Sequence, residues 1–109
     1  MDTRIYEMQA GVCVALGNAK RIQIIDLLQD GEKTAGSLRE AMGIPKANLS
    51  QHLNVMKSKG IVQSRRQGTS MYYRITNHKI ITACQLMREV LIEQLKDLST
   101  LHKKYTGAV

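Results

Sequence analysis

The sequence is short of the features that mark several large protein classes. Its two cysteines, Cys13 and Cys84, lie 71 residues apart with no CxxC pair and no Cys/His finger spacing, so neither a zinc-organised fold nor a disulfide scaffold is indicated. No run approaches the roughly 18 uncharged apolar residues that a bilayer span requires. The opening segment MDTRIYEMQAGVCV carries Asp2 and Glu7 rather than the continuous apolar block of a secretory signal. A cytoplasmic location with no membrane partner is expected. There is no Gly-rich phosphate loop, no pair of carboxylates within the apolar pattern and no nucleophile with an identifiable base, so neither enzymatic activity nor a cofactor is expected.

The most informative absence is of acid. Residues 41–88 contain no Asp or Glu, yet carry Lys46, Lys57, Lys59, Arg65, Arg66, Arg74, Lys79 and Arg88. The rest of the chain sets eight basic residues against nine acids, so the net charge of +7 resides in one contiguous piece. Such a block implies a polyanion or an anionic surface as partner, the alternative being a merely solvated basic face. A chain of 109 residues suits one domain with a small core, for which dimerisation would add buried surface.

Apolar periodicity places helices on both sides of this block. Ile5, Met8, Val12, Ala15 and Leu16 share one face of a first helix over about 4–16, ended by Gly17. Asn18 can cap a second helix whose Ile22, Ile24, Ile25, Leu27 and Leu28 are apolar nearly all round, the pattern of a core centre, with Gly31 as its stop. Thr34 can cap a short third helix with Leu38, Ala41 and Met42 at helical spacing. The segment Gly43-Ile44-Pro45 then reads as a tight turn, with Pro45 suited to the first position of a fourth helix. In that helix, about 46–59, Leu49, Leu53 and Met56 form the buried side, and Ala47, Gln51, Asn54 and Ser58 point the other way.

After Gly60, the segment IVQSRRQGTSMYYRI reads as two short strands, 61–66 and 70–75, joined around Gln67, Gly68 and Thr69, with Tyr72 and Tyr73 packed one in and one out. Asn77 can cap a long last helix to about residue 104. Its stripe of Ile80, Cys84, Met87, Leu91, Leu95 and Leu98, with Ile81 and Ile92 beside it, exceeds what one small domain buries and asks for a partner helix. The fold expected is mainly α with a β-hairpin, in the order α-α-α-α-β-β-α.

Two helices joined by a short Gly-containing turn, the second exposing small polar groups, is the helix-turn-helix plan, whose second helix enters the DNA major groove. Gln51 and Asn54 can present donor and acceptor together to adenine. Ala47 can touch a thymine methyl, and Lys46 can reach a guanine edge or a phosphate. Asn48 and Ser50 suit phosphate or water contacts. Arg65 and Arg66, with Gln67 and Thr69 at the turn, sit where a wing would grip the DNA backbone or minor groove. A winged helix used as a protein-interaction module is the rival reading, in which the acid-free block is incidental.

Residues 15–75 resemble the winged-helix repressors of the ArsR/SmtB family. The likeness is carried by LGN at 16–18, LSQHL at 49–53, KGIV leading into the wing and YYRI closing it, and by the order of the flanking helices. The resemblance implies a homodimer through the first and last helices, two recognition helices on double-stranded operator DNA, and repression relieved by an inducer, commonly a metal or a thiol-reactive signal. A constitutive repressor with no inducer site is the alternative. Thiolate metal sensors of this family carry a Cys-Val-Cys element that would fall on Thr34, Ala35 and Gly36. The family's other common metal site falls near Asn77, Lys79, Val90 and Glu93, where at most one ligand type survives. Soft metals need thiolates, so no metal site is expected.

Cys13 and Cys84 stay open to three readings: a thiol switch for an oxidant or reactive sulfur, inert apolar residues of the core, or a metal or As(III) site. His52 reads as a satisfied structural histidine inside the recognition helix and His78 as part of the cap of the last helix. His102 lies far along the Cys84 stripe, too distant for a ligand pair within one chain.

Overall fold

A computed structural model describes residues 1–107, in the order α1 (Arg4–Leu16), α2 (Ala19–Leu27), β1 (Lys33–Thr34), α3 (Ala35–Met42), α4 (Lys46–Ser58), β2 (Val62–Gln67), β3 (Ser70–Ile75) and α5 (His78–Thr106). Side chains start three of the helices. Asn18 accepts from the N–H groups of Lys20 and Arg21, Thr34 from that of Ser37, and Asn77 from that of Lys79, filling donors that a first helical turn leaves open.

Pro45 sits one position earlier than the sequence suggested. It is extended (φ −61°, ψ 148°) and precedes α4 without a side-chain cap bond, and its carbonyl accepts the first helical bond from Leu49 N at 3.1 Å. The fixed proline φ suits this boundary residue, and Gly43 in the left-handed region (φ 62°) turns the chain into it.

The core gathers around α2. Ile24, Ile25 and Leu28 are buried against Leu38 of α3, Leu49, Leu53 and Met56 of α4, and Ile61, Val62 and Ile75 at the base of the hairpin. Ala15 and Ile81 are the buried contributions of α1 and α5. Within α2, Ile22 and Leu27 are half-buried, so its almost continuous apolar surface is that of a central helix.

The second strand of the hairpin falls at 70–75 as expected, the first lies at 62–67 rather than 61–66, and the sheet gains a third strand. β2 and β3 pair antiparallel from Val62↔Ile75 to Gln67↔Ser70, leaving Gly68-Thr69 as a two-residue turn with Gly68 at φ 64°. On the other edge, β1 pairs with β3 through Lys33↔Tyr73 and Thr34↔Tyr72, giving the order β1-β3-β2. Two residues are too few to carry a period-2 signal. Thr34 therefore has two tasks, since its backbone joins the sheet while its hydroxyl opens α3.

The link from α4 to the hairpin is short and fully bonded. Gly60 turns it with φ 71°, Ile61 N donates to Met56 O at 2.9 Å, and Thr76 donates through Oγ1 to Gly60 O at 2.6 Å and through N to Ile61 O at 3.0 Å. These bonds set the hairpin's angle to α4.

Candidate nucleic-acid interface

The outer face of α4 follows from how its inner face is held. Leu49, Leu53 and Met56 are buried at spacings of four and three residues, so Lys46, Ala47, Asn48, Ser50, Gln51 and Asn54 are all exposed. His52 fixes the helix laterally. Its Nδ1 accepts from Arg21 Nε at 3.3 Å, and Arg21 Nη1 also donates to Ala15 O at 3.3 Å, joining α4, α2 and α1. Partial burial, then the charges of Arg21 and Lys20, hold the His52 pKa below its ordinary value, favouring the neutral ring this acceptor role needs. His52 is thus a satisfied structural residue, as its place in the sequence suggested.

On the hairpin Arg65, Arg66, Gln67 and Thr69 are all exposed, Arg65 and Gln67 on one face of β2 and Arg66 on the other. Lys57 Nζ donates to Ser64 Oγ at 2.7 Å, tying α4 to β2. Arg65 is more constrained than its sequence neighbours suggest. Both its Nε and its Nη2 donate to the Glu32 carboxylate, its Nη1 donates to Gln67 Oε1 at 2.7 Å, and its guanidinium lies 4.5 Å from the centre of the Tyr72 ring. Tyr73 packs against the core on the other side of the strand.

Glu32 precedes the acid-free block in sequence and returns to it in space, as does Asp26, whose carboxylate accepts from Arg88 Nη2 at 2.7 Å. Six of the eight cations of the block are without a carboxylate partner among the described residues: Lys46, Lys57, Lys59, Arg66, Arg74 and Lys79. One of them, the exposed Lys59, lays its ammonium against Gly11 of α1, 3.3 Å from where a Cβ at Gly11 would stand. Counting charge along the sequence missed Glu32, because adjacency in the chain carries no record of which acids fold back.

Away from this face, Cys13 and Cys84 line one groove of about 380 Å³ between α1 and α5, together with Leu16, Ile22, Met87 and Leu91. Cys13 is exposed and Cys84 half-buried. Burial, then the nearby Asp26, pushes the Cys84 thiol pKa up, with Arg88 opposing. Among the described residues no cluster of three or more His, Cys, Asp or Glu is placed to hold a metal ion, and no helix is long and apolar enough to cross a membrane.

With this geometry in place, the likeness to known proteins is specific. Residues 18–64, from the Asn18 cap to the first strand of the hairpin, match the model of the bacterial regulatory protein arsR family. The chain is 36% identical over 104 residues to the HTH-type transcriptional regulator Rv0324 of Mycobacterium tuberculosis, covering 95% of this chain and 46% of that protein, so it spans about half the length of that relative. It is 33% identical to the uncharacterized HTH-type transcriptional regulator Rv0081 of the same organism, over 85% of this chain and 82% of that protein. Among solved structures, the homodimeric winged helix-turn-helix DNA-binding domain of Mb0332 from Mycobacterium bovis superposes with a TM-score of 0.79 at 34% identity, covering 89% of this chain and 92% of that one. The chain belongs to the arsR family of bacterial regulatory proteins and is a winged helix-turn-helix transcriptional regulator, not an enzyme.

Proposed function

We propose that the whole chain acts as one DNA-binding unit, a cytoplasmic homodimeric repressor that places α4 of each copy in the major groove of a partly palindromic operator. Half-sites one helical turn or a small multiple apart follow from that symmetry. The observation that carries the reading is the division of α4 into an anchored apolar side and an exposed side of Lys46, Ala47, Gln51 and Asn54. Gln51 and Asn54 read adenine edges, Ala47 a thymine methyl, and Lys46 a guanine edge or a phosphate. Asn48 and Ser50, with Arg65, Arg66, Gln67 and Thr69 of the wing, hold the backbone.

Pairing through α1 and α5 is supported by their apolar surface. Met87, Leu91, Leu95 and Leu98 recur along one face of α5 and are 53–65% exposed, with Ile5, Met8 and Val14 open on α1. A second copy covers such faces.

Salt dependence of duplex binding tests the reading. If the dimer neutralises on the order of eight phosphates, log K falls against log salt with a slope near about −7. Flat dependence, or no duplex binding at any salt, would instead favour the protein-interaction module.

For the inducing signal, the shared groove of Cys13 and Cys84 supports a thiol-reactive agent, an oxidant or a reactive sulfur species. In the oxidant case two thiols give up two electrons to the oxidant and release two protons as the S–S bond forms. That bond changes how α1 meets α5, and with it the spacing of the two recognition helices. Operator affinity that is unchanged among reduced, oxidised and polysulfide-treated protein, and in a Cys84→Ser variant, leaves a constitutive repressor.

A further inference from the structure

We infer that the cleft bounded by α3, the start of α4 and the wing turn is a seat for a phosphate group of the DNA backbone, with Arg39 and Lys46 as its cations. This rests on the DNA-binding reading above. The cleft has a volume of about 340 Å³ and is lined by Arg39 of α3, Lys46 and Ser50 of α4, Thr34 at the sheet edge, and Thr69 and Ser70 of the wing. Three parts of the fold that are remote in sequence thus bring an arginine, a lysine and four hydroxyl-bearing residues to the lining of one cleft.

The chemistry of that lining is selective. No carboxylate lines the cleft, and neither Arg39 nor Lys46 has an ion-pair partner among the described residues. A phosphate diester shares one negative charge over two non-bridging oxygens, which accept from a guanidinium fork, from an ammonium and from hydroxyl groups together. The Thr34 oxygen already accepts from Ser37 N at 3.0 Å, which leaves its own proton to donate. The wall is open at Gly36, where a Cβ would meet nothing nearer than Thr34 Oγ1 at 3.9 Å.

Position adds a second argument. Lys46 is the first residue of α4 and precedes Ala47, so a phosphate held here would fix the depth and register at which α4 enters the groove. Arg65 is less free for that task, because its fork is occupied by Glu32. Arg39 lies outside the acid-free block and outside the recognition helix, so neither the charge count nor the helix-turn-helix pattern singles it out.

Phosphate chemistry also admits a free anion, and the experiment separates the two sources. Duplex affinity is measured against salt for the unaltered chain, Arg39→Ala and Arg39→Lys, alongside calorimetric titration of each with inorganic phosphate. For Arg39→Ala the salt slope is expected to become shallower by about 0.9 for each copy bound, with thermal stability retained, and Arg39→Lys is expected to keep the slope. An unaltered slope in Arg39→Ala overturns the inference. So does saturable binding of inorganic phosphate that Arg39→Ala abolishes while the DNA slope stays the same, which makes the cleft a free-anion site. If the unaltered chain binds no duplex at any salt, the DNA-binding reading itself fails. Normal binding by the unaltered chain with no change in Arg39→Ala removes only this seat.

Discussion

The α2-to-hairpin region and the α1/α5 pair are built from the same kind of apolar periodicity and end in opposite states. In the first, Ile24, Ile25, Leu38, Leu53, Met56 and Ile61 are sealed, and the Met56–Ile61 and Gly60–Thr76 bonds tie helix to hairpin. In the second, α5 is 29 residues long, buries only Ile81, and leaves Met87 through Leu98 open. Hydrophobic burial is indifferent to whether the surface covering it belongs to the same chain. A stripe therefore states that something will cover it and does not state what. The α2-to-hairpin half is sealed within one copy, whereas the α1/α5 pair leaves an apolar face open.

Breaking the second half should have the largest effect. Leu91→Glu together with Leu95→Glu places two charges in the exposed stripe without touching the core. Sedimentation should show a monomer whose fold is intact by circular dichroism, and operator affinity should fall about 10²–10⁴-fold as linked binding of two half-sites is lost. A variant that remains dimeric would show that α5 is not the dimer surface. Within the sealed half, Leu53→Ala should cost about 2–5 kcal/mol in denaturant unfolding, because Leu53 is 1% exposed and its neighbours belong to several elements. The same truncation at Leu95, 65% exposed, should act mainly on the concentration dependence of assembly.

Smaller effects divide the DNA-facing half itself. If Gln51 reads a base edge as proposed, Gln51→Ala should weaken operator binding by about 1–3 kcal/mol and leave non-cognate duplex nearly unaffected. Arg65→Ala should weaken both duplexes. Equal losses for the two variants on both DNAs would mean that the reading face is misassigned. Glu32→Gln sharpens the Arg65 result. It frees the guanidinium fork for phosphate, so non-cognate affinity should rise, by less than about fivefold given how little half-exposed ion pairs contribute. A fall would show that the pair's role is to position the wing.

Much of this was legible in the sequence. The caps at Asn18, Thr34 and Asn77, the left-handed glycines 43 and 60, and the buried triad of α4 are local signals, each decided within a few residues. What stayed hidden depends on contacts distant in the chain. β1 exists only because Tyr72 and Tyr73 supply its partner strand, Glu32 reaches Arg65 across 33 positions, and Arg39 gains its neighbours only when α3, α4 and the wing close together. Periodicity records which face of an element is buried. It carries no record of which charges meet, and the interface is decided by those meetings.

The smallest expected effect tests how firmly α4 is held to the rest of its half. His52 accepts from Arg21 through Nδ1, and its folded pKa lies below the ordinary histidine value of 6.5. Protonation would turn the acceptor into a donor facing a guanidinium. Because the pKa is depressed on folding, the unfolded chain binds the proton more readily than the folded one. This contribution to stability is therefore present above about pH 6.5 and is lost as pH falls through the folded value. His52→Gln keeps an acceptor for Arg21 and removes the titration. Its melting temperature should accordingly drop less than that of the unaltered chain between about pH 7.5 and 5. If both fall equally, the acid sensitivity lies elsewhere and Arg21 does not depend on a neutral ring. If the difference appears and operator affinity falls with it at low pH, the tie from α1 and α2 through His52 is what keeps the reading face in place.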